Sequence, residues 1–445
     1  MYDLMNQMDS AGFISIDCGL PDGSGYRENA TGITYVPDTQ YVDAGETKTV
    51  AAEGFARRYR TLRVFPEGAG TATTSGRCSR GQVPGASRVL LRRLRRPAKP
   101  PEFELHIGIN VRLTIRLSSD NSSLSEVIKA AQGDTLWVCL INTNKGTPLI
   151  STIQMRQFPD FLYPHANASQ SLHLRRRFNF GTEAPLRYPE DPYDRIWKGL
   201  VGSFPVINTT RRVEATPTDH FQVPSRVLET AISSRNVSVG LAISAAVGNQ
   251  DDVVYAVLHF AELQNLSRHN QTRIMDIRGK GSAEAILRSY SPPFLKAAHV
   301  RITNAAVGQT GIYNISLIPS NASTLPPMIN AMESFLVRKV DELPTDLGDV
   351  RAIQGIRSAY KLKRNWQGDP CMPKDYVWDG LRCDYYDGVD TPRIISLNLS
   401  SSGLVGGIPV SIANLTALTT LDLSKNSLSG MFPDFLAELP ALKLL

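Results

Sequence analysis

The residues of this chain that could carry out catalysis or hold a metal ion show no arrangement suited to either. The histidines form no H-x-x-x-H pair and no cluster with cysteine; they stand at positions 106, 165, 173, 220, 259, 269 and 299. "RGKGS" at 278–282 lacks the upstream glycine and the Lys-Ser/Thr order of a phosphate-binding loop. The sequence carries no kinase signature set, and no carboxylate pair is marked as in a glycosidase. We therefore expect no enzyme activity, no cofactor and no bound metal in this chain.

The cysteines predict one disulfide. Cys371 and Cys383 are close in sequence and have no metal-ligating residues beside them, so we expect them to be bonded to each other. A catalytic role for Cys371 would need an accompanying His and Asn signature, which the sequence lacks. Trp378 lies between the two cysteines in "NWQGDPCMPKDYVWDGLRC" (365–383) and suggests a small lid. The partners of Cys18 and Cys139 stay open.

Short stretches of alternating apolar and polar residues dominate the chain from Gly12 to about Pro319. They lie at 12–19, 103–111, 134–143, 252–263 and 311–320, and Gly, Asn, Asp and Pro separate them. Period-two alternation broken by turn residues predicts antiparallel β-sandwiches. About 300 residues is generous for one sandwich, so we expect two, divided near the basic stretch "LHLRRR" (172–177).

The C-terminal part changes to a helix and then to a repeat. Within 345–363, the residues Val350, Ile353, Ile356 and Tyr360 have helical spacing. Beyond the lid, leucines recur at an offset of 24 residues, with Leu397, Leu399 and Leu404 followed by Leu421, Leu423 and Leu428. This is a leucine-rich repeat period, in which the lid would cover the first repeat. The chain ends at Leu445 in mid-repeat, so we expect it to be truncated or to continue in a parent molecule.

Several features indicate an extracellular protein. Asn-x-Ser/Thr acceptor patterns run along the whole chain, at Asn29, Asn121, Asn167, Asn208, Asn236, Asn265, Asn270, Asn314, Asn321, Asn398 and Asn414. They agree with a disulfide-permissive compartment. The N-terminal residues show no secretory signal, and no apolar run reaches the roughly 20 residues of a membrane helix. We therefore expect an incomplete N-terminus.

The positive charge of the chain is confined to one segment. Eight cations and no acid stand between Glu67 and Glu102, and without them the net charge of +6 becomes −2. Taken at face value, the segment is the only support for a nucleic-acid partner.

The combination of motifs resembles the ectodomain of plant malectin-like leucine-rich-repeat receptor kinases. The resemblance rests on "GFISIDCGLPDGSGY", "LRVFPEG", "PEFELHIGIN", "RFNFGTEAPLRYPEDPYDRIW", "VLHFAELQ", "LPPMINAMESF", the lid and the repeats. It runs from Gly12 to Leu445 with one gap at 71–100. It implies two tandem malectin-like sandwiches, a short repeat segment and, in intact members, a membrane helix and a Ser/Thr kinase.

The gap suggests a shifted reading frame. Family members usually have N-C-Y-H, K-Y-L-V-R-A and Y-G-D-Y-D-G in this region. One-base shifts of these motifs give T-A-T-T (71–74), Q-V-P-G-A-S (82–87) and L-R-R-L-R-R (91–96). We hypothesise that residues 71–100 are translated out of frame, which makes the basic patch an artefact and removes the case for nucleic acid. If the segment is made as written, we expect the first sandwich to lose strands and a family cysteine near position 72, leaving Cys78 incidental.

Loop aromatics and carboxylates suggest a binding function. Aromatic rings stack on sugar faces and carboxylates accept from hydroxyls. The candidate ligand-binding residues are Tyr26, Tyr35 and Tyr41 in the first sandwich, and Tyr193, Asp194 and Trp197 in the second. For Trp197 and Arg195 we favour packing and inter-domain roles. We also expect Trp137 to be core, and His259 and Glu262 to be structural.

The fold class is therefore mainly β, and the chain divides into five parts. They are a tail (1–11), a first malectin-like sandwich (12–170), a second (171–322), a linker helix with the Cys-paired cap (323–392) and truncated leucine-rich repeats (393–445). The predicted function is extracellular recognition of cell-wall carbohydrate or a secreted peptide by a receptor-like kinase at the plasma membrane, anchored by a segment missing from this chain. The alternatives are a co-receptor module that pairs with another receptor ectodomain, and a non-functional gene fragment.

A full-length transcript read across codons 71–100 tests the frame hypothesis. We expect it to restore the tyrosine-rich frame, because three separate motifs are recovered by single-base shifts. Arginine codons read cleanly through 92–96 would contradict the hypothesis.

Overall fold

The fold is described from a computed structural model. It describes residues 12–42, 44–49, 56–66, 72–77, 84–91, 101–117, 123–130, 135–216, 219–246, 252–279, 286–306, 311–364, 366–385 and 391–444.

The N-terminal part is built from short strands. They are β1 (Ile14–Asp17), β2 (Tyr26–Arg27), β3 (Thr34–Pro37), β4 (Glu46–Thr49), β5 (Thr61–Val64), β6 (Ala72–Arg77), β7 (Pro84–Leu91), β8 (Glu102–Ile107), β9 (Val111–Arg116), β10 (Ser123–Ala130), β11 (Thr135–Lys145), β12 (Leu149–Ile150) and β13 (Thr152–Gln157).

The middle part adds β14 (Gln170–Phe180), β15 (Lys198–Leu200), β16 (Val206–Asn208), α1 (Ser225–Leu228), β17 (Thr230–Ser233), β18 (Leu241–Ala246), β19 (Val253–Phe260), β20 (Met275–Gly279), β21 (Leu287–Tyr290), β22 (Ala298–Ala306), β23 (Ile312–Pro319), β24 (Met328–Ile329) and β25 (Ala331–Lys339). The C-terminal part contains α2 (Leu347–Tyr360), β26 (Leu381–Asp384), β27 (Arg393–Asn398), β28 (Val405–Gly406), β29 (Thr420–Asp422) and β30 (Ser427–Leu428). The five stretches of alternation fall on β1, β8, β11, β19 and β23, which confirms the mainly β prediction.

One sheet runs through both sandwiches. Its strand order is β2-β3-β1-β13-β7-β10-β14-β25-β19-β22, with β15 also paired to β14. The two halves join where β10 pairs with β14, at Val127–His173 and Ile128–Leu172. In the first sandwich, the sheet β6-β11-β8-β9 faces this long sheet, and in the second the sheet β18-β23-β20-β21 does so.

Strand β19 is buried on both faces, which explains its near-continuous apolar sequence. Val254, Ala256 and Leu258 pack into the core between the two sheets of the second sandwich. Tyr255 and Val257 face the opposite way, under a covering segment (158–228) that packs on the back of the sheet. A strand covered on both faces loses polar–apolar alternation.

The domain boundaries stay predictions, but one strand lies beyond the predicted second sandwich. Strand β25 falls in the predicted linker (323–392), yet it pairs with β14 and β19 inside the long sheet.

The expectation that residues 71–100 would remove strands is wrong. The backbone of β6 pairs with β11, and that of β7 pairs with β10 and β13. Ladder hydrogen bonds use backbone groups that every residue except proline supplies, so pairing tolerates an altered sequence. The frame hypothesis itself stays a prediction, and the arginines at 92–96 lie outside the described residues.

The predicted helix is confirmed as α2. Asp346 caps its N-terminus by accepting hydrogen bonds from the backbone N–H groups of Gly348 and Asp349, and Lys361 ends it in the left-handed conformation. Ile353 and Ile356 are buried in a C-terminal core that also contains the repeat leucines. The 24-residue offset appears directly in the register, because Leu397 of β27 pairs in parallel with Leu421 of β29.

Among the residues that the structure describes, none of the helices is long and apolar enough to cross a membrane.

The two sandwiches are tied by a buried arginine. A bulge between Leu174 and Arg176 in β14 leaves Arg175 unpaired in the strand register and turns Arg177 inward. The Arg177 guanidinium donates to Glu126 of the first sandwich (3.0 Å) and to Glu333 of the second (2.6 Å), and all three side chains are buried.

Replacing Arg177 by methionine should lower the free energy of unfolding by about 3–5 kcal/mol, because two buried carboxylates lose their shared cation. The neighbouring exposed Arg176 provides the control, and R176M should change it by less than about 0.5 kcal/mol. Urea denaturation followed by circular dichroism measures both. Equal effects of the two substitutions would contradict the role given to Arg177.

Candidate ligand-binding cleft

A cleft lies between the outer face of the first sandwich and the disulfide-bonded lid. In β8 and β11, Leu105, Val138 and Leu140 point into the sandwich core, so the alternating residues point outward. The outward residues His106, Trp137, Cys139 and Ile141 form one wall, and Gln367–Asp369, Met372, Pro373 and Tyr376 form the other. The cleft holds about 350 Å³ of empty space, part of it open solvent.

The turn between β8 and β9 fixes the lid to the sandwich. Gly108 adopts a positive φ of 63°, which lets the chain turn sharply before Ile109. Ile109 is buried among the residues of the C-terminal core rather than in its own sandwich. The Asn110 side chain donates to the carbonyl of Glu342 (2.8 Å) and accepts from its N–H (3.0 Å).

The lid is ordered from within by a disulfide and a buried carboxylate. The predicted bond between Cys371 and Cys383 is confirmed. The Asp369 carboxylate accepts hydrogen bonds from the N–H groups of Thr345 (3.0 Å), Cys371 (3.1 Å) and Met372 (2.9 Å), and from the Thr345 hydroxyl. Burial raises the pKa of Asp369, and the hydrogen bonds from these donors lower it in part. The rings of Trp366 and Trp378 also stack within the lid, with their centroids 5.2 Å apart.

The cleft offers aromatic faces and weakly charged polar groups. The His106 ring bonds Glu104 through Nε2 (2.8 Å), and burial lowers the pKa of His106, so the ring is neutral near pH 7. The Tyr376 ring meets His106 edge-on with centroids 5.6 Å apart. Burial raises the pKa of Cys139 to about 12, so its thiol is not a nucleophile. Such a surface suits noncovalent recognition rather than catalysis.

Tyr26 and Tyr35, predicted to bind ligand, are occupied by internal contacts. The two rings stack at 5.4 Å and are buried. The Tyr26 hydroxyl donates to Asp17 (2.9 Å), and the Tyr35 hydroxyl accepts from Gln154 (2.7 Å). Tyr41 is half-buried against the core of the first sandwich. All of these contacts hold the sandwich together, and a role of the three tyrosines in binding stays a prediction.

The candidates of the second sandwich are also packed. Trp197 and Asp194 are 0% exposed. The Trp197 indole donates to Asp191 (2.8 Å), and Asp194 accepts from Arg156 (2.9 Å) and Arg187 (2.8 Å). These contacts agree with the packing interpretation of Trp197, and a ligand would reach either side chain only after the cover opened.

Tyr193 retains exposed surface. It is half-buried, and its hydroxyl donates to Gln222 (2.5 Å). None of the six candidates lines the cleft, and their binding role stays a prediction.

The prediction that Trp137 is core is wrong. It is half-buried and lines the cleft, because it points away from its neighbours Leu136 and Val138. His259 and Glu262 are both buried and Glu262 accepts from Arg273 (2.7 Å), in agreement with the structural interpretation, which stays a prediction.

Sequence pattern provides only a partial signal for the cleft. Alternation places 137, 139 and 141 on one face of β11, but no local pattern predicts that a lid more than 200 residues away covers that face. Among the described residues Cys18 and Cys139 are both buried free thiols.

The glycosylation acceptors are mostly accessible. Of the ten described asparagines, eight are exposed, while Asn265 and Asn314 are half-buried; Asn121 lies outside the described residues. Glycosylation at these positions stays a prediction.

Comparison with known proteins identifies the architecture. The extracellular domain of ANXUR1 from Arabidopsis thaliana superimposes with a TM-score of 0.59 at 14% identity, over 73% of this chain and 96% of that one. A crystal structure of the plant peptide RALF23 in complex with FER and LLG2 matches with a TM-score of 0.57 at 16% identity, over 73% and 95%. The fold is therefore the one found in plant receptor kinase ectodomains.

Sequence similarity identifies the family. The malectin-like domain family matches residues 16–337, and the leucine-rich repeat family matches 417–439. The Arabidopsis thaliana probable LRR receptor-like serine/threonine-protein kinase At1g05700 is 35% identical over 92% of this chain and 48% of its own length. A second, PAM74, is 36% identical over 93% and 47%.

The chain thus belongs to the malectin-like leucine-rich-repeat receptor-like kinases, as the resemblance implied. It spans about half the length of the curated relatives it matches. Neither matched family is a catalytic domain.

Substituting Asp369 should loosen the lid and its joint with the sandwich. In D369A several buried donors lose their acceptor, so we expect the free energy of unfolding to fall by about 2–4 kcal/mol. Hydrogen exchange at Gly108–Asn110 should rise as well, because that turn packs on the lid. D375A is the matched control, because Asp375 is exposed and lies 3.5 Å from Arg112. Unchanged exchange at the turn in D369A would show that lid and sandwich are not coupled.

Proposed function

We propose that this chain is the extracellular recognition module of a receptor-like Ser/Thr kinase at the plasma membrane, and that its ligand is a secreted peptide. The cleft between the first sandwich and the lid carries this proposal. It joins two parts of the chain that meet through the β8–β9 turn and the cleft walls, so an occupant would bear on their relative position.

The chemistry of the cleft favours a peptide. Trp137 and Tyr376 offer ring surfaces to an apolar or aromatic side chain, and His106 and Gln367 lie beside them as polar groups. A structural neighbour of this chain has been crystallised with the plant peptide RALF23.

Carbohydrate is the other ligand predicted from the sequence, and the geometry favours it less. Of the aromatic candidates for sugar stacking, Tyr35 and Trp197 have no exposed face, and Tyr26 stacks on Tyr35. A sugar would have only Trp137 and Tyr376 available in the cleft.

Pairing with another receptor ectodomain is a second candidate, which a surface on the repeats favours. Val405 and Val410 are exposed apolar side chains there. Exposed apolar side chains on a repeat surface are typical of protein–protein contact. The RALF23 complex also contains LLG2 besides FER, so a third chain accompanies peptide and receptor in that assembly.

Binding of synthetic secreted plant peptides to the purified, secreted ectodomain tests the proposal. We expect at least one peptide to bind, and W137A and Y376A each to weaken it about tenfold or more, because aromatic anchors dominate small interfaces. F204A removes a partly exposed ring outside the cleft walls and should leave affinity within about twofold. Thermophoresis measures all three variants.

The same titration with cellobiose, maltose and oligogalacturonides separates the ligand classes. Binding of sugars that W137A abolishes, with no peptide bound, would replace peptide by carbohydrate. Peptide binding that W137A and Y376A leave unchanged would place the site elsewhere.

A further inference from the structure

A row of four side chains links the covering segment of the second sandwich to its sheet; Asp219, His259 and Glu333 are buried and His299 is half-buried. Asp219 in the cover lies 2.9 Å from Nε2 of His299 on β22. Nδ1 of His299 lies 2.8 Å from Nδ1 of His259, its directly opposite partner on β19. Nε2 of His259 lies 3.5 Å from Glu333 on β25. This row of side chains therefore has carboxylates at both ends and two imidazoles between them.

Two neutral imidazoles cannot supply a proton to each of the three gaps between these four side chains. Each neutral ring carries one N–H proton, so two protons serve three gaps. The 2.8 Å gap between the two Nδ1 atoms needs one of them, so one Nε2 faces a carboxylate with its lone pair. The gap without a proton is the one between His259 and Glu333, since it is the longest at 3.5 Å. His299 then carries its proton on Nε2, 2.9 Å from Asp219, and His259 donates from Nδ1 to His299.

One oxygen of Glu333 is paired without a proton on His259, whereas the buried Oε2 faces His259 Nε2 and has no hydrogen-bond partner among the described residues. Its Oε1 accepts from the Tyr163 hydroxyl (2.7 Å) and from Arg177 (2.6 Å). Other charged or titratable groups lie around this row of side chains. They are Glu126 on β10, Tyr255 on β19, and Asp191, Arg195 and the exposed His220 in the cover. Burial, His299 and Arg195 disfavour a further positive charge on His259, and Glu333 opposes them.

Asp219, at one end of this row of side chains, sets the conformation of the loop 219–222 in the cover. Its Oδ1 accepts from the N–H groups of Phe221 (2.8 Å) and Gln222 (2.9 Å). Gln222 has a positive φ of 43°, a conformation that non-glycine residues adopt only when held. The carbonyls of Phe221 and Gln222 accept from Arg195 (both 2.8 Å), and the Gln222 side chain accepts from Tyr193 at the surface.

We propose that the His259–His299 pair is an acid-responsive latch: a third proton, taken up by His259 Nε2, releases the loop 219–222 from the sheet. In the closed state this proton enters a fully buried site, where burial and the nearby Arg195 outweigh the attraction of Glu333. In an open state, His259 is hydrated and holds the proton more easily. Acid therefore favours opening, and opening changes the surface around Tyr193.

The direction of the pH dependence follows from the His259 ring. Burial lowers the pKa of His259 to about 4, below the value of about 6.5 for a solvated histidine. A depressed pKa in the closed state means that the latch is fully stable above about pH 6.5 and weakens as the pH falls towards 4. Burial alone would raise the pKa of Glu333, but Arg177 and its other partners hold it below the usual range, so Glu333 stays ionised.

Hydrogen exchange of the Phe221 and Gln222 amides at pH 7 and pH 4.5, corrected for intrinsic rates, tests the latch in the whole chain. We expect their protection factors to fall about tenfold or more at pH 4.5, since each unit of pKa difference is a tenfold change in the opening equilibrium. H259Q removes the titrating ring and should reduce that fall to less than about threefold. H173Q is the matched control, because His173 is a buried histidine of the same sheet that bonds Ser171 instead.

Two results would overturn the latch. One is wild-type protection at these amides that does not change with pH; the other is a full acid-induced fall in H259Q. If H259Q does not fold, a histidine-specific NMR titration of the wild type replaces it. His259 and His299 titrating with no accompanying shift of the Gln222 amide resonance would count against the latch, and a joint shift would support it.

Discussion

The placement of Arg177 between Glu126 and Glu333 is the interaction on which the rest of the structure depends. A single guanidinium bridges a carboxylate from each sandwich, at the point where β10 and β14 make the long sheet continuous. Buried ions are stable only when paired, so the two sandwiches cannot separate here without exposing or stranding charge. The bulge in β14 makes this possible, because it turns Arg177 inward while Arg175 and Arg176 stay exposed.

The contacts of Arg177 hold the two sandwiches together as one body. The outer face of β8 and β11 becomes a fixed platform, and the lid is held against it chiefly through Ile109 and Asn110. The His106 and Tyr376 rings also meet across the cleft. On the proposed function, a ligand in the cleft would contact both platform and lid, whereas a site inside either sandwich would contact only one of them.

What could be predicted from the sequence was what short-range periodicity encodes. Alternation predicted β11 and β23, helical spacing predicted α2, and the offset of 24 predicted the pairing of Leu397 with Leu421. The site was not predicted, because it depends on which side of β11 a distant lid covers. Tyr35 and Trp197 were candidates because their types suit binding, but burial is a long-range outcome that residue type does not settle.

In segment 71–100, too, the backbone pairing and the side-chain contacts have to be considered separately. Its backbone still completes β6 and β7, because strand pairing does not depend on which side chains the ladder carries. Side-chain chemistry is less tolerant: β6 places residues 72 and 73 opposite Leu140 and Cys139, next to the position where the resemblance implies a cysteine. The free Cys139 thiol lies on a wall of the cleft, close to Gly368 of the lid. The reading frame of this segment therefore bears on the chemistry of the cleft more than on the existence of the fold.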